Sequence, residues 1–575
     1  MNKVNASKAL LEMLKGYRVE HVFGLPGETT LPWYKEWLDY PEIRHVMARD
    51  ERSAAFMADG YARFSGKPGV CEAPSVGATH VLPGVAEAYK SSLPMIMFTS
   101  DIPLHLEKRS MLTGLDQTSM FSGITKETFT VTDPSSIPDV VRRAFRVATT
   151  GRPGPVHIRL PSDVLAADAE YPRMHVQPDF AVYPGHRPVA QTDKIIEALK
   201  LLGSAERPVI VCGQGALYSQ AWDEVVLLAE LFAAPVGTTI NGKGSMPERH
   251  PLSIGVIGAR GGTSHSNKVL SEADLVFFVG SSTDSAGTDK WTAPPEDGDA
   301  KIIHLNISEQ EAANNYRSDV ILIGDAKATL GWMLELADTE PRDFSKLPRI
   351  KAIQDEKRRH AEYVADLMKS DETPVHPLRF IKELDKALPR DRCLVMDVGT
   401  AAIYTSTYYK VPEAGRTMAY NFAMGSLGYA IPASIGAAHA RPDSCIATLV
   451  GDGSFGLAAA ELETMARTGH NNNIILIDNR SYGWIRAEWL LNYGPQYVDW
   501  ATNFREVDYL KIAEGFGLKA RKVESPSELG PALKECFSDP EPTFIDLIMQ
   551  PEDKLVPPVP GWIRRAQEKG LRHIE

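Results

Sequence analysis

The stretch VGDGSFGLAAAELETMARTGHNNNIILIDN, residues 450–479, decides the fold. It opens at the end of an apolar run, CIATLVGDG at 445–453, which reads as a strand presenting Asp452 at its carboxyl end. Gly451 and Gly453 let the backbone turn tightly and approach an anion closely. The segment GLAAAELETMART reads as a helix, and a helix N-terminus offers free N–H groups to phosphate. A second apolar run, IILID, then delivers Asn479 at the same edge. Ligands of such βαβ units sit beyond the carboxyl ends of the strands. A carboxylate, an amide oxygen, a backbone carbonyl and two diphosphate oxygens suit a hard cation such as magnesium. An ordinary βαβ unit with glycine in its turn explains GDG alone equally well. Asparagine at the end of the next strand is what favours a metal and diphosphate site.

Apolar runs alternate with helical patterns over most of the chain: PMIMFTS at 94–100, RPVIVCG at 207–213, ADLVFFVG at 273–280 and DRCLVMDVG at 391–399. This order predicts an α/β protein of three doubly wound parallel-sheet domains. An aperiodic linker at 174–191 and a charged break near 337–376 place the domains at 1–170, 190–340 and 375–550. Residues 551–575, Pro-rich and then basic, form a tail. The first and third blocks are candidates for one shared fold, although sequence identity does not show it.

The bulk numbers exclude several classes. With 575 residues and a net charge of -12, the chain is long enough for several domains and carries no basic block for nucleic acid. The five cysteines, Cys71, Cys212, Cys393, Cys445 and Cys536, have no CxxC spacing, so zinc and a disulfide framework are not expected and a reducing cytoplasm fits. The opening MNKVNASKALLEMLKG reads as an amphipathic helix rather than a signal peptide. No stretch approaches the roughly 18 apolar residues of a membrane span.

The 450–479 stretch closely resembles the metal and diphosphate motif of thiamine-diphosphate enzymes, and the whole chain resembles their acetolactate-synthase-like family. VEHVFGLPGETTLPWYKEW (19–37), ARDERSAAFMADGYAR (48–63), SVGATHVLPGVAEAY (75–89) and GRPGPVHIRLPSDV (151–164) match the pyrimidine-binding domain. NGKGSMPERHPLSIGVIGARGG (241–262) looks like the middle, Rossmann-like domain, and MGSLGYAIPASIGAA (424–438) like the loop and helix that hold the cofactor bent. The resemblance implies thiamine diphosphate and Mg2+, with Asp452, Asn479 and the Ser481 carbonyl as metal ligands. It places Gly451, Gly453, Ser454, Gly399, Thr400, Ala401, Gly425, Tyr482 and Gly483 around the cofactor, with Leu427 wedged between its rings. It makes Glu51 the carboxyl that activates the aminopyrimidine. It also implies a homo-oligomer, dimer or tetramer, with each site shared between two chains. The middle domain of such relatives often binds FAD or ADP; here Arg152 resembles one nucleotide-contacting position, while Asn306 departs from the acidic residue that usually reads a ribose, so FAD or ADP stays an open alternative. The tail is expected to act as an active-site lid.

At the reaction-specific positions the chain departs from acetolactate synthases. Their Phe-Gln pair falls on Leu112 and Thr113, while Asp116 and Gln117 resemble a variant of acyl-CoA lyases. The arginine that recognises a substrate carboxylate should lie in GSSTDSAGTDKW (280–291), which has none. Glu488 takes the place of a substrate-selecting Trp, and Glu28 stands where a small residue is usual. Glu28, Gln117 and Glu488 thus join Glu51 as candidate catalytic residues, the carboxyls as acid and base. The expected activity is carbon–carbon cleavage or formation on a small 2-oxo acid or 2-hydroxyacyl-CoA, by a carboligase, lyase or decarboxylase. Acetolactate synthase proper, and an inactive paralogue serving as a regulatory subunit, are the alternatives.

Overall fold

A computed structural model describes residues 3–574. Three six-stranded sheets, parallel throughout, carry the chain. They fall within residues 21–161, 208–323 and 392–548, with helices on the faces. Strands such as Met95–Asp101, Leu275–Val279 and Asn472–Asp478 are buried from end to end and carry the continuous apolar runs MIMF, LVFFV and IILI, as sheets covered on both faces require.

Counted in chain order within each sheet, the first and third run 2-1-3-4-6-5 across the sheet. The shared fold that identity does not show is therefore plain in topology. The middle sheet runs 3-2-1-4-5-6, the dinucleotide-binding order. In each order the chain reverses direction of growth beside its first strand. There the carboxyl ends part and leave a crevice. In the third sheet this point lies between Arg392–Met396 and Cys445–Gly451, which pair in register.

The first and third domains meet through two helices rich in small residues, Glu51–Ser65 and Ala430–Ala440. Glycine allows backbone to touch backbone here. A Cβ on Gly60 would lie 2.0 Å from the Ala433 carbonyl oxygen, and one on Gly436 1.9 Å from that of Met57. The contact is reinforced by charge: Arg63, buried, bonds Asp59 at 2.6 Å and the Tyr420 carbonyl at 3.1 Å.

The C-terminal tail is folded into the third domain. Val556, Val559, Trp562, Ala566 and Ile574 join its core, and Trp562 packs on Trp484 at 4.2 Å between ring centroids. Arg572 pairs with Glu372 at 3.0 Å. The segment thus contributes one apolar face to the domain's core, and a truncation from Pro557 would open that core as well as uncover the site beside it. Trp562→Ala should cost about 3–5 kcal/mol, the usual penalty for emptying a buried tryptophan site. Thermal melting of the apo protein measures it, and a melting temperature within a degree of wild type would show that the tail is not structural.

Candidate active site

A cavity of about 480 Å³ opens at the switch point of the third sheet. The carboxyl ends of three strands meet there and deliver Gly399 and Thr400, Gly451 to Ser454, and Asn479 with Ser481. Gly399, with φ of +120°, turns the chain into the Thr400–Tyr408 helix, a backbone that only glycine adopts readily. Arg480, with φ of +57°, makes a second left-handed turn that places Ser481 beside Asp452. Ser481 N–H donates to Asp452 Oδ2 and to Asn479 Oδ1, both at 3.2 Å. The two side-chain oxygens expected to bind metal are therefore neighbours on one N–H.

The electrostatics fit a cation. Asp452 is buried, and burial followed by the charge of Asp478 raises its pKa far above the usual carboxylate range. Burial also pushes Asp546 and Glu552 up to about 7. A divalent ion would reverse this by supplying the missing positive charge. Among the described residues no group of three His, Cys, Asp or Glu side chains converges to hold a metal. Asp452, Asn479 and a backbone carbonyl are an incomplete set, of the kind a cofactor's phosphate oxygens finish.

Two supporting residues escaped the sequence reading. Glu552, buried beneath the site, accepts both bonds from Asn479 Nδ2, at 2.9 and 3.1 Å. The amide is thereby held with its oxygen turned toward Asp452. Gly483 makes room for Glu552: a Cβ there would lie 2.2 Å from Oε1. Asp397, raised to about 6 by burial, accepts from the N–H groups of Val398 and Ala430 at 3.1 and 3.0 Å. It ties the Gly399 loop to the loop carrying Leu427. Ser454 Oγ accepts from Gly428 N–H at 2.6 Å and closes the same ring of loops. Thr400, Ala401, Gly425, Leu427, Tyr482 and Gly483 all line the cavity, with Met424 and Ile485 as apolar wall.

The remaining candidates lie elsewhere. Glu51 begins its helix just after the N-cap Asp50, its side chain buried and bonded to His80 Nδ1 at 3.0 Å. Gly77 fits closely over it, since a Cβ there would lie 2.6 Å from Glu51 Oε1. Its neighbours Arg49 and Arg52 bond to Glu461 and to the Leu457 carbonyl of the third domain. Yet the cavity is lined by the third and middle domains and by no residue of the first. Glu28 is exposed on the turn Glu28–Thr30, and Glu488 is exposed on the helix Gly483–Tyr493; neither lines the cavity. Gln117 is fully buried, its amide accepting from Thr99 Oγ1 and donating to the Ser100 carbonyl at 3.2 Å. Its side chain is spent inside the first domain.

A second cavity, of about 600 Å³, lies at the switch point of the middle sheet between Gly213–Gly215 and Gly280–Ser281. Asn306 there donates to the Ser281 carbonyl at 3.0 Å and accepts from Ser308 N–H at 3.0 Å. Arg152 pairs with Glu311 and donates to Ser92 Oγ at 2.8 Å. Arg152 and Asn306 are thus both engaged within the protein.

Two like-folded domains flank a dinucleotide-type domain, and a cavity lined by Asp452, Asn479 and glycine turns opens at the switch point of the third. Family comparison agrees in each domain. Residues 4–120 match the N-terminal TPP binding domain of thiamine pyrophosphate enzymes, 195–333 their central domain and 397–547 their C-terminal TPP binding domain. The probable acetolactate synthase large subunit of Methanococcus aeolicus is 36% identical over 96% of this chain and 94% of its own length. An acetolactate synthase of Arthrospira platensis is 32% identical over 98% and 97%, and the large subunit of Lactococcus lactis 31% over 99% and 97%. The chain belongs to the thiamine-diphosphate-dependent enzymes of the acetolactate-synthase-like family.

Proposed function

We propose that this chain catalyses acetolactate synthase chemistry: loss of carbon dioxide from one 2-oxo acid and joining of the remaining acyl unit to the carbonyl carbon of a second. End-to-end similarity to proteins named acetolactate synthase carries this reading over a dedicated lyase or decarboxylase. Thiamine diphosphate, when bound, supplies the carbon nucleophile and the electron sink for decarboxylation. Asp452, Asn479 and the Ser481 carbonyl would hold Mg2+, while Gly453, Ser454 and the Gly399–Thr400 turn would donate to the diphosphate. Leu427 would brace the cofactor's two rings from below. Met424, Leu427 and Ile485 line the cavity with apolar side chains. Glu51 would share a proton with the pyrimidine ring nitrogen. Because no first-domain residue lines the cavity, that carboxyl would come from a second copy, which makes the working unit a homodimer or a pair of them. Five buried, unbridged cysteines support work in a reducing cytoplasm. No helix among the described residues is long and apolar enough to cross a membrane.

One observation favours a second reading, cleavage of a 2-hydroxyacyl-CoA. Leu112 and Thr113 replace the family's pair, and Leu112 is 87% exposed. One experiment separates the two. Holoenzyme given pyruvate should release carbon dioxide and form acetolactate, detected by mass spectrometry. Cleavage of a 2-hydroxyacyl-CoA with no acetolactate from pyruvate would reject the proposal.

A further inference from the structure

The cavity that holds Asp452 has on its wall a cation with no hydrogen-bond or ion-pair partner among the described residues. Arg260, in the sequence GARGG at 258–262, lines it together with Leu427, Trp484 and Ala286. Its guanidinium lies over the Trp484 ring, 4.6 Å from the centroid. Among the described residues its side chain makes no hydrogen bond and no ion pair. Burial lowers its pKa, and the more distant charges of Glu488 and Asp289 only partly oppose this. A half-buried guanidinium left unpaired is costly, so its presence at a ligand cavity calls for an anion. A position over the indole restrains the group and leaves its N–H donors free to form a fork for a carboxylate.

The backbone beneath is rigid. Gly258 N–H donates to Asn267 Oδ1 at 2.7 Å, and Asn267 Nδ2 donates back to the Gly258 carbonyl at 3.2 Å. Ala259 N–H donates to the Ala286 carbonyl at 2.7 Å. Gly261, with φ of +87°, lies so close to the third domain that a Cβ would fall 2.3 Å from Ser406 Oγ. Arg260 is thus presented by a pinned loop that rests on 280–291, a segment with no arginine of its own.

We propose that Arg260 binds the carboxylate of the substrate in this cavity and makes the site selective for 2-oxo acids over uncharged carbonyl compounds. The inference names a substrate contact for the reaction proposed above and rests on that reading, but its test does not need turnover. Holoenzyme loaded with thiamine diphosphate and Mg2+ is titrated with oxamate, an unreactive 2-oxo acid isostere, and with uncharged oxamide, following tryptophan fluorescence or heat. Wild type should prefer oxamate. Arg260→Gln should weaken oxamate by about 10- to 100-fold, the range for losing bonds to a charged group. Arg260→Lys should fall between, because a point charge replaces the fork. Neither variant should change the affinity for thiamine diphosphate. Equal oxamate affinity in wild type and Arg260→Gln would overturn the inference. So would a loss of cofactor affinity instead, which would make Arg260 a partner of the diphosphate. Arg260-dependent oxamate binding in an enzyme that turns over no 2-oxo acid would uphold this inference and reject the reaction.

Discussion

Asp452→Ala is expected to abolish thiamine diphosphate binding at millimolar magnesium, weakening it by at least about 100-fold. The carboxylate is the one anionic protein ligand in the proposed set, and a hard cation binds poorly to an amide and a carbonyl alone. Ser481 N–H spans Asp452 and Asn479, so the substitution also loosens the geometry of the remaining oxygens. The apo protein should fold as well as wild type or better, because the change removes a buried acid whose charged form is disfavoured there. The contrast lies in ligand response. Saturating wild type with cofactor and magnesium at about a hundredfold excess over Kd should add about 2.7 kcal/mol of stability, and the variant should gain nothing. Calorimetry and melting with and without ligand test both halves. An unchanged cofactor affinity in Asp452→Ala would remove Asp452 from the metal site.

Much of this site was legible in the sequence because its parts are local. Gly451 to Asn479 is one βαβ unit, and in a parallel sheet the carboxyl ends of adjacent strands share an edge. Gly399 follows the same rule, since it stands just after the strand Arg392–Met396, whereas Leu427, on the loop after Met418–Tyr420, is marked by the family resemblance alone. What the sequence did not disclose depends on distant chain coming back. Glu552 reads as one charge in a turn after the last strand, and only the fold returns it beneath Asn479. Arg260 reads as part of a middle-domain loop, and only packing against Ser406 and Ala286 carries it to the cofactor cavity. The tail reads as a Pro-rich, basic segment expected to act as a lid, and only the fold shows that Val556, Val559, Trp562 and Ala566 also enter the third domain's core. Gln117 stands in a stretch that resembles a variant of acyl-CoA lyases. Its position in the chain resembles a substrate-facing one, but its amide turns inward to the Met95–Asp101 strand.

Glu51→Gln is expected to bind cofactor almost as wild type and to lose turnover by roughly 10²- to 10⁴-fold, the usual worth of a positioned proton-transfer group. The amide keeps the size of the carboxyl, and its oxygen can still accept from His80, so the close packing under Gly77 survives. It cannot share a proton with a ring nitrogen. Hydrogen–deuterium exchange at the cofactor's thiazolium carbon should slow in parallel, and wild-type exchange in the variant would dismiss Glu51 from this role. The same variant tests where each active site is assembled. Glu51 belongs to the first domain, while the cavity around Asp452 is lined only by the middle and third. If two copies build each site, a mixed dimer of Glu51→Gln and Asp452→Ala chains carries both defects in one site and neither in the other. Each homodimer is inactive, so unfolding and reassembling equal amounts should restore about a quarter of wild-type activity through random pairing. If one chain built its own site, every site in the mixture would hold one defect and no activity would return.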